Sequence, residues 1–310
     1  MRRGVFDDLS SRQPRHPLVF SPQGTLRVTA VPLSDSHGSS HFDRSDLNSR
    51  PTVWVTGSGA KRVGRTVAEH FARQGYRVAL HANTSREGAL ETLRHFEGQG
   101  IQCMATQGDI RSQESMEQAV AKIVDQFGRL DAVVHCAAVW DWSPLELTTE
   151  AQLRAQFEIN TLGAYHVARN AGLAMVPQPQ GGRIILIGDW AVARPYANFS
   201  AYFLGKGAIE TLVRSMAVEL ASRNPDIHVN GIMPGPVMLD PSITAERAGR
   251  IKQASLIKRH GRPEDIAQAA FFLATQSFIT GVCLPVDGGR TIWAPDEAES
   301  VAHPTYQVEK

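Results

Sequence analysis

Residues 52–71 read TVWVTGSGAKRVGRTVAEHF, and three textures follow one another within them. Thr52 to Val55 is a β-branched and aromatic run suited to a buried strand. Gly57 and Gly59 then interrupt it. From Val63 onward, Val63, Val67 and Phe71 recur at helical spacing, and Gly75 lies just beyond as a stop signal. A strand that turns through glycines straight into a helix is the opening unit of a parallel α/β sheet.

The same alternation runs outward from this unit to about residue 292. RVALHAN (77–83), IQCMATQGD (101–109), LDAVVHCAA (130–138), RIILIGD (183–189), IHVNGIMPG (227–235) and CLPVDGG (283–289) read as further strands. Helical periods fill the gaps. Met116, Val120, Ile123, Val124 and Phe127 share one face, as do Ile209, Leu212, Val213, Met216 and Leu220. Near-continuous apolar strands imply burial on both sides. The expected fold is a single-domain, Rossmann-type, doubly wound parallel sheet of about seven strands with helices on both faces. In such sheets ligands bind beyond the carboxyl ends of the strands, where strand order reverses.

Residues 1–50 are rich in Ser, Arg, Asp, His and Pro and are expected to form a largely irregular extension, although TLRVTAVPL (25–33) has strand character. Residues 293–310 read as a C-terminal tail. The formal net charge is +1 at pH 7, which gives no electrostatic reason to expect nucleic acid. No apolar run is long enough to span a membrane, and the start is a poor signal peptide. Cys103, Cys136 and Cys283 lack metal or disulfide spacing and are expected to be reduced and mostly buried, in a cytoplasmic protein without a metal.

The glycine turn, with Gly57, Lys61, Arg62, Val63 and Gly64, lets a pyrophosphate approach the backbone and the positive end of the following helix. Strands that serve NAD usually end in an acid that accepts from the ribose. LHANTSR (80–86) has none. Asn83, Thr84 and Ser85 can instead donate to a 2′-phosphate, and Arg62 or Arg86 can neutralise it, so the expected cofactor is NADP(H). Ser85 also suits a helix cap. Asp109, followed by Ile110, can accept from an adenine amino group or cap the next helix. Cys136, Ala137 and Ala138 are small enough to lie against a cofactor.

Tyr202 and Lys206 are four apart and share a helix face. A phenol has an ordinary pKa of about 10, and a nearby ammonium eases its proton release. These motifs, in this order, resemble the short-chain dehydrogenase/reductase family over about residues 51–292. TGSGAKRVG is similar to its nucleotide loop, HCAA to its Asn-Asn-Ala-Gly stretch, and YFLGK to its catalytic pair. The resemblance implies that Asn160 supports a lysine-bound water and that Pro234, Gly235 and Val237 lie near the nicotinamide amide. It also implies a homotetramer or homodimer.

Two departures stand out. The nucleotide loop has one extra residue between Gly57 and Gly64, and Asp189 stands where the family normally has serine. Pteridine reductases within the family carry aspartate there. Arg62 in the loop and Trp140, where those enzymes stack an aromatic on the pterin, are similar to them; Ala138 departs from them. The leading expectation is an NADPH-dependent reductase of pterin-like C=N substrates, with Asn160, Asp189, Tyr202 and Lys206 catalytic and Arg62, Trp140, Asp189 and Tyr202 meeting substrate. Asp189 also suits a structural cap, and Trp140 a lid. The alternatives are a carbonyl reductase acting on 3-oxoacyl thioesters or other ketones, and a non-catalytic NADP-binding protein. The segment 238–260 is expected to be mobile and to cover the substrate.

Overall fold

The computed structural model describes residues 50–239 and 242–293. The expected N-terminal extension, its strand-like stretch and nearly all of the C-terminal tail lie outside the described residues. Seven strands form one parallel sheet: β1 (Thr52–Thr56), β2 (Arg77–Ala82), β3 (Cys103–Gln107), β4 (Ala132–His135), β5 (Gly182–Ile187), β6 (Ile227–Pro234) and β7 (Cys283–Val286). Their spatial order is β3-β2-β1-β4-β5-β6-β7. All seven strand expectations match.

The helices are α1 (Val63–Arg73), α2 (Arg86–Gly98), α3 (Gln113–Phe127), α4 (Glu150–Phe157), α5 (Gly163–Met175), α6 (Ser200–Ala221), α7 (Ala245–Gln253) and α8 (Pro263–Thr275). One core layer joins Met116, Ile123 and Phe127 of α3 with side chains of α5 and with Ile209 and Val213 of α6. The opposite layer packs Val67 and Phe71 of α1 against Ile266 and Ala270 of α8. Each fully buried aliphatic or Phe side chain contributes about 1.5–3 kcal/mol, so both faces of the sheet are strongly held.

Val53 of β1 pairs with Val78 on one side and Ala132 on the other. The chain winds outward from β1 towards β3 and, after β4, towards β7. The carboxyl ends of β1 and β4 therefore form the switch point, with Gly57 and Cys136 just past them. Gly75, at φ +86°, adopts the left-handed turn that ends α1.

Between α4 and α5 the helix widens into a π-turn over Glu158–Leu162, centred on Asn160. Residues 242–260 are more structured than the composition of segment 238–260 suggests. They contain α7, capped by the Thr244 side chain, and Arg290 donates from Nη1 to the carbonyl of Ile251 at 3.0 Å. Ser255 Oγ donates to the Gly288 carbonyl. Contacts with the distant Arg290 and Gly288, just beyond β7, supply this order, and local composition does not encode them.

Candidate active site

The glycine loop is packed too tightly for side chains. Gly57 has φ +66°, and a Cβ there would sit 2.8 Å from the backbone of Ala137. One on Gly64 would lie 2.6 Å from the Gly57 carbonyl oxygen, and one on Gly59 would meet Ala82 and Ser85. The loop, with its extra residue, thus bends over the end of β2. Ser58, which sequence reasoning missed, anchors that bend: its hydroxyl donates to the Val55 carbonyl and accepts from the His81 N–H. Such a backbone-lined hollow at a helix start fits the diphosphate of a dinucleotide. Lys61 is exposed and paired with Glu91 at 3.2 Å. Arg62 occupies the N-cap position of α1 and is exposed, with no ion pair to it among the described residues.

Asn83, Thr84 and Ser85 are exposed beyond β2. Ser85 is the N-cap of α2, yet its hydroxyl makes no capping bond and stays available. Asp109 does not cap α3; Ser112 does, accepting from the Ser115 N–H. Hydrogen bonds from Arg111 hold the Asp109 carboxyl below its ordinary range and already engage both of its oxygens. Ile110 is buried against Gly163. Thr56 Oγ1 lies 2.8 Å from His135 Nδ1 and accepts from the Ala137 N–H, which fixes the 136–138 backbone beside the loop. The three cysteines are free and partly buried, each packed against the core. On the other side of the switch point Pro234 pairs with Val286, and a Cβ on Gly235 would strike Asp287 at 2.7 Å. Val237 packs onto the core.

Asp189 closes the end of β5. Its Oδ1 accepts from the Ala191 N–H at 2.8 Å and its Oδ2 from the Tyr202 hydroxyl at 2.6 Å. It therefore caps a short 3₁₀ turn and faces the phenol as well. Burial raises the Asp189 carboxyl above the usual carboxylate range. Tyr202 is buried, and its pKa is raised well above 10, first by burial and then by the Asp189 charge. Within the described residues, burial and the Asp189 charge both act against the eased proton release expected of the pair. Lys206 donates to the Ile187 carbonyl at 2.8 Å, and burial lowers its pKa to about 8.

The Asn160 side chain is largely engaged. Its Oδ1 accepts from the Val139 N–H, and its Nδ2 donates to the Val139 carbonyl and to Gln156 Oε1. Both N–H donors of the side chain are therefore taken, and a water at this level can only donate to the remaining lone pair of Oδ1. Trp140 is 50% exposed and stacks on Phe199 at 4.8 Å, with one face occupied. Tyr196 joins the same wall. Its ring meets Phe199 edge-on, Trp140 hydrogen-bonds it, and burial with the Asp189 charge pushes its pKa up to about 12. The aromatic density of PYANFSAYF (195–203) was the available signal for Tyr196 and Phe199.

Two features decide the family: a glycine cradle at the switch point, and a tyrosine and lysine one helical turn apart on α6 beside β5. A family model described as enoyl-(acyl carrier protein) reductase matches residues 59–291. The chain belongs to the short-chain dehydrogenase/reductase family. Among family members it is 31% identical to a probable tetrahydroxynaphthalene reductase from Zymoseptoria tritici, over 80% of this chain and 97% of that protein. It is 30% identical to the 7alpha-hydroxysteroid dehydrogenase of Escherichia coli K12, over 76% of this chain and 92% of the relative. A crystal structure of a dehydrogenase/reductase from Sinorhizobium meliloti 1021 superposes with a TM-score of 0.71 at 31% identity, covering 77% and 94% of the two chains. Among the described residues no helix is long and apolar enough to cross a membrane.

Proposed function

We propose that this short-chain reductase uses NADPH to reduce a flat nitrogen heterocycle at a C=N bond, of dihydropteridine or dihydrofolate type. The observation that carries the reading is the 2.6 Å hydrogen bond from Tyr202 to the partly buried Asp189 carboxylate. When bound, NADPH supplies the hydride. Gly57, Lys61, Val63 and Gly64 would hold its diphosphate, and Asn83, Thr84, Ser85 and Arg62 its 2′-phosphate. Asp109 and Ile110 would flank the adenine. Cys136, Ala137, Ala138, Pro234, Gly235 and Val237 would border the nicotinamide, with Tyr202 and Lys206 on its ribose.

The proton argument uses this chain's own groups. A phenolate formed beside an ionised Asp189 would be repelled by about 4 kcal/mol at ~4 Å and an effective dielectric near 20. Ring N–H and amino donors on a substrate offset that repulsion by hydrogen-bonding the carboxylate. The developing oxyanion of a ketone would instead add to it. Tyr202 delivers the proton, and Lys206 and the π-turn at Asn160 support its replacement. Trp140, backed by Phe199, offers a flat apolar face to a planar ring. The test is NADPH oxidation with dihydrobiopterin and dihydrofolate against a panel of ketones. Turnover of ketones alone would defeat the reading.

A carbonyl reductase is the second reading, favoured by the raised Asp189 pKa and by relatives named as a hydroxysteroid dehydrogenase and a tetrahydroxynaphthalene reductase. A protonated Asp189 donates a hydrogen bond, as serine does. Asp189→Ser separates the two readings: it preserves ketone reduction and impairs pterin reduction. Leu204 and Val218 of α6 are 63% and 71% exposed, which supports self-association as a homodimer or homotetramer. Three free thiols support a reducing, cytoplasmic location.

A further inference from the structure

Trp140 sits on a stretch of chain that is gripped on both sides. Before it, Val139 exchanges two hydrogen bonds with Asn160, each 3.0 Å long. After it, Gln156 Nε2 donates to Asp141 Oδ2 at 2.8 Å. The two grips are one network, because Asn160 Nδ2 also donates to Gln156 Oε1 at 2.8 Å. Gln156 is 2% exposed and Asn160 1%, whereas Asp141 lies at the surface. Burying an amide costs heavily unless both of its ends are bonded, and here both are. The network also touches the helix that carries Tyr202 and Lys206. A Cβ on Gly205 would lie 2.8 Å from the Gln156 carbonyl oxygen, and Thr161 Oγ1 donates to the Gly205 carbonyl.

We propose that Gln156 and Asp141 are positioning residues that act through Trp140. By fixing the backbone on either side of it, they pre-set the indole against Phe199 and tie that wall to the π-turn beside the catalytic helix. The inference rests on the proposed function only in taking Trp140 as a wall of the substrate pocket; it holds for a planar ketone as well as for a pterin. Preorganisation of this kind acts on substrate binding more than on the proton-transfer step.

The test compares Asp141→Ala, Asp141→Asn and Gln156→Leu in the full-length chain. Amide exchange of residues 139–143, substrate KM and kcat, and NADPH Kd are measured for each. Asp141→Ala is expected to speed exchange and raise KM about tenfold, the scale of one lost hydrogen bond to a charged group, with kcat and NADPH Kd little changed. Asp141→Asn keeps an acceptor oxygen and is expected to restore both readouts. Gln156→Leu is expected to reproduce the alanine phenotype; should it fail to fold, the surface variant at 141 decides. Unchanged exchange and KM in Asp141→Ala, or an asparagine variant as impaired as the alanine one, overturns the proposal. The substrate is whichever compound the wild type reduces, so a failure on dihydrobiopterin counts against the functional reading alone.

Discussion

Tyr202 donates a hydrogen bond to Asp189 across 2.6 Å, from a buried phenol to a partly buried carboxyl. The two residues are thirteen apart, one at the end of β5 and the other in the first turn of α6. Burial raises the pKa of both, and each also raises or lowers the other through this bond. The pair is therefore a single proton store, and its charge depends on pH above the ordinary carboxylate range. Asp189→Asn removes that ionisation. The wild-type pH–kcat profile is expected to carry an inflection above the normal aspartate pKa, and the asparagine variant to lack it. An identical profile in both would show that Asp189 does not titrate in turnover.

Lys206 supplies a stability test with a defined sign. Its pKa is lowered from 10.5 to about 8 by burial, so folding disfavours the charged form. The stability linked to its neutral form is present above pH 10.5 and is lost as pH falls through about 8. Lys206→Met has no such dependence. Relative to wild type, the methionine variant should gain about 3 kcal/mol between pH 10.5 and pH 7, from 1.36 kcal/mol per pKa unit. Urea denaturation across that range measures the gap, and turnover should be lost throughout.

Gly205→Ala tests the contact between the catalytic helix and the π-turn. The new methyl would sit 2.8 Å from the Gln156 carbonyl oxygen and 3.2 Å from Asn160 Cβ. Backbone cannot yield there without moving α6. Overpacking of this kind costs about 1–3 kcal/mol, to be read as a lower urea midpoint. Turnover should fall with it, because Tyr202 and Lys206 shift with the helix.

Arg62→Ala tests the coenzyme preference. Arg62 is exposed at the start of α1, Asn83, Thr84 and Ser85 are exposed after β2, and no ion pair holds Arg62 among the described residues. Loss of one charge-assisted bond to a 2′-phosphate is expected to weaken NADPH about tenfold, leaving NADH unchanged. Equal weakening of both coenzymes would move the contact to the diphosphate.

The strands, their number and the position of the nucleotide loop were legible in the chain itself, because period-2 and period-3.6 patterns are properties of neighbouring residues. Tyr202 and Lys206 were legible for the same reason: four residues on a helix make one face. Asp189 was visible as an oddity, but its orientation was not. Composition suggested mobility for segment 238–260, yet Arg290 and Gly288, just beyond β7, hold its Ile251 and Ser255. Asn160 was expected to support a water, and the structure shows that Val139 and Gln156 take both of its N–H donors.

What the sequence by itself determined, then, was the order and type of the elements and the chemistry available at their ends. Only the tertiary structure decided which of those groups are spent and which are poised. Burial and contacts between distant segments set that, through desolvation of Asp189, Tyr202 and Lys206 and through the shared hydrogen bonds of Asp141, Gln156 and Asn160. Neither effect leaves a trace in local periodicity.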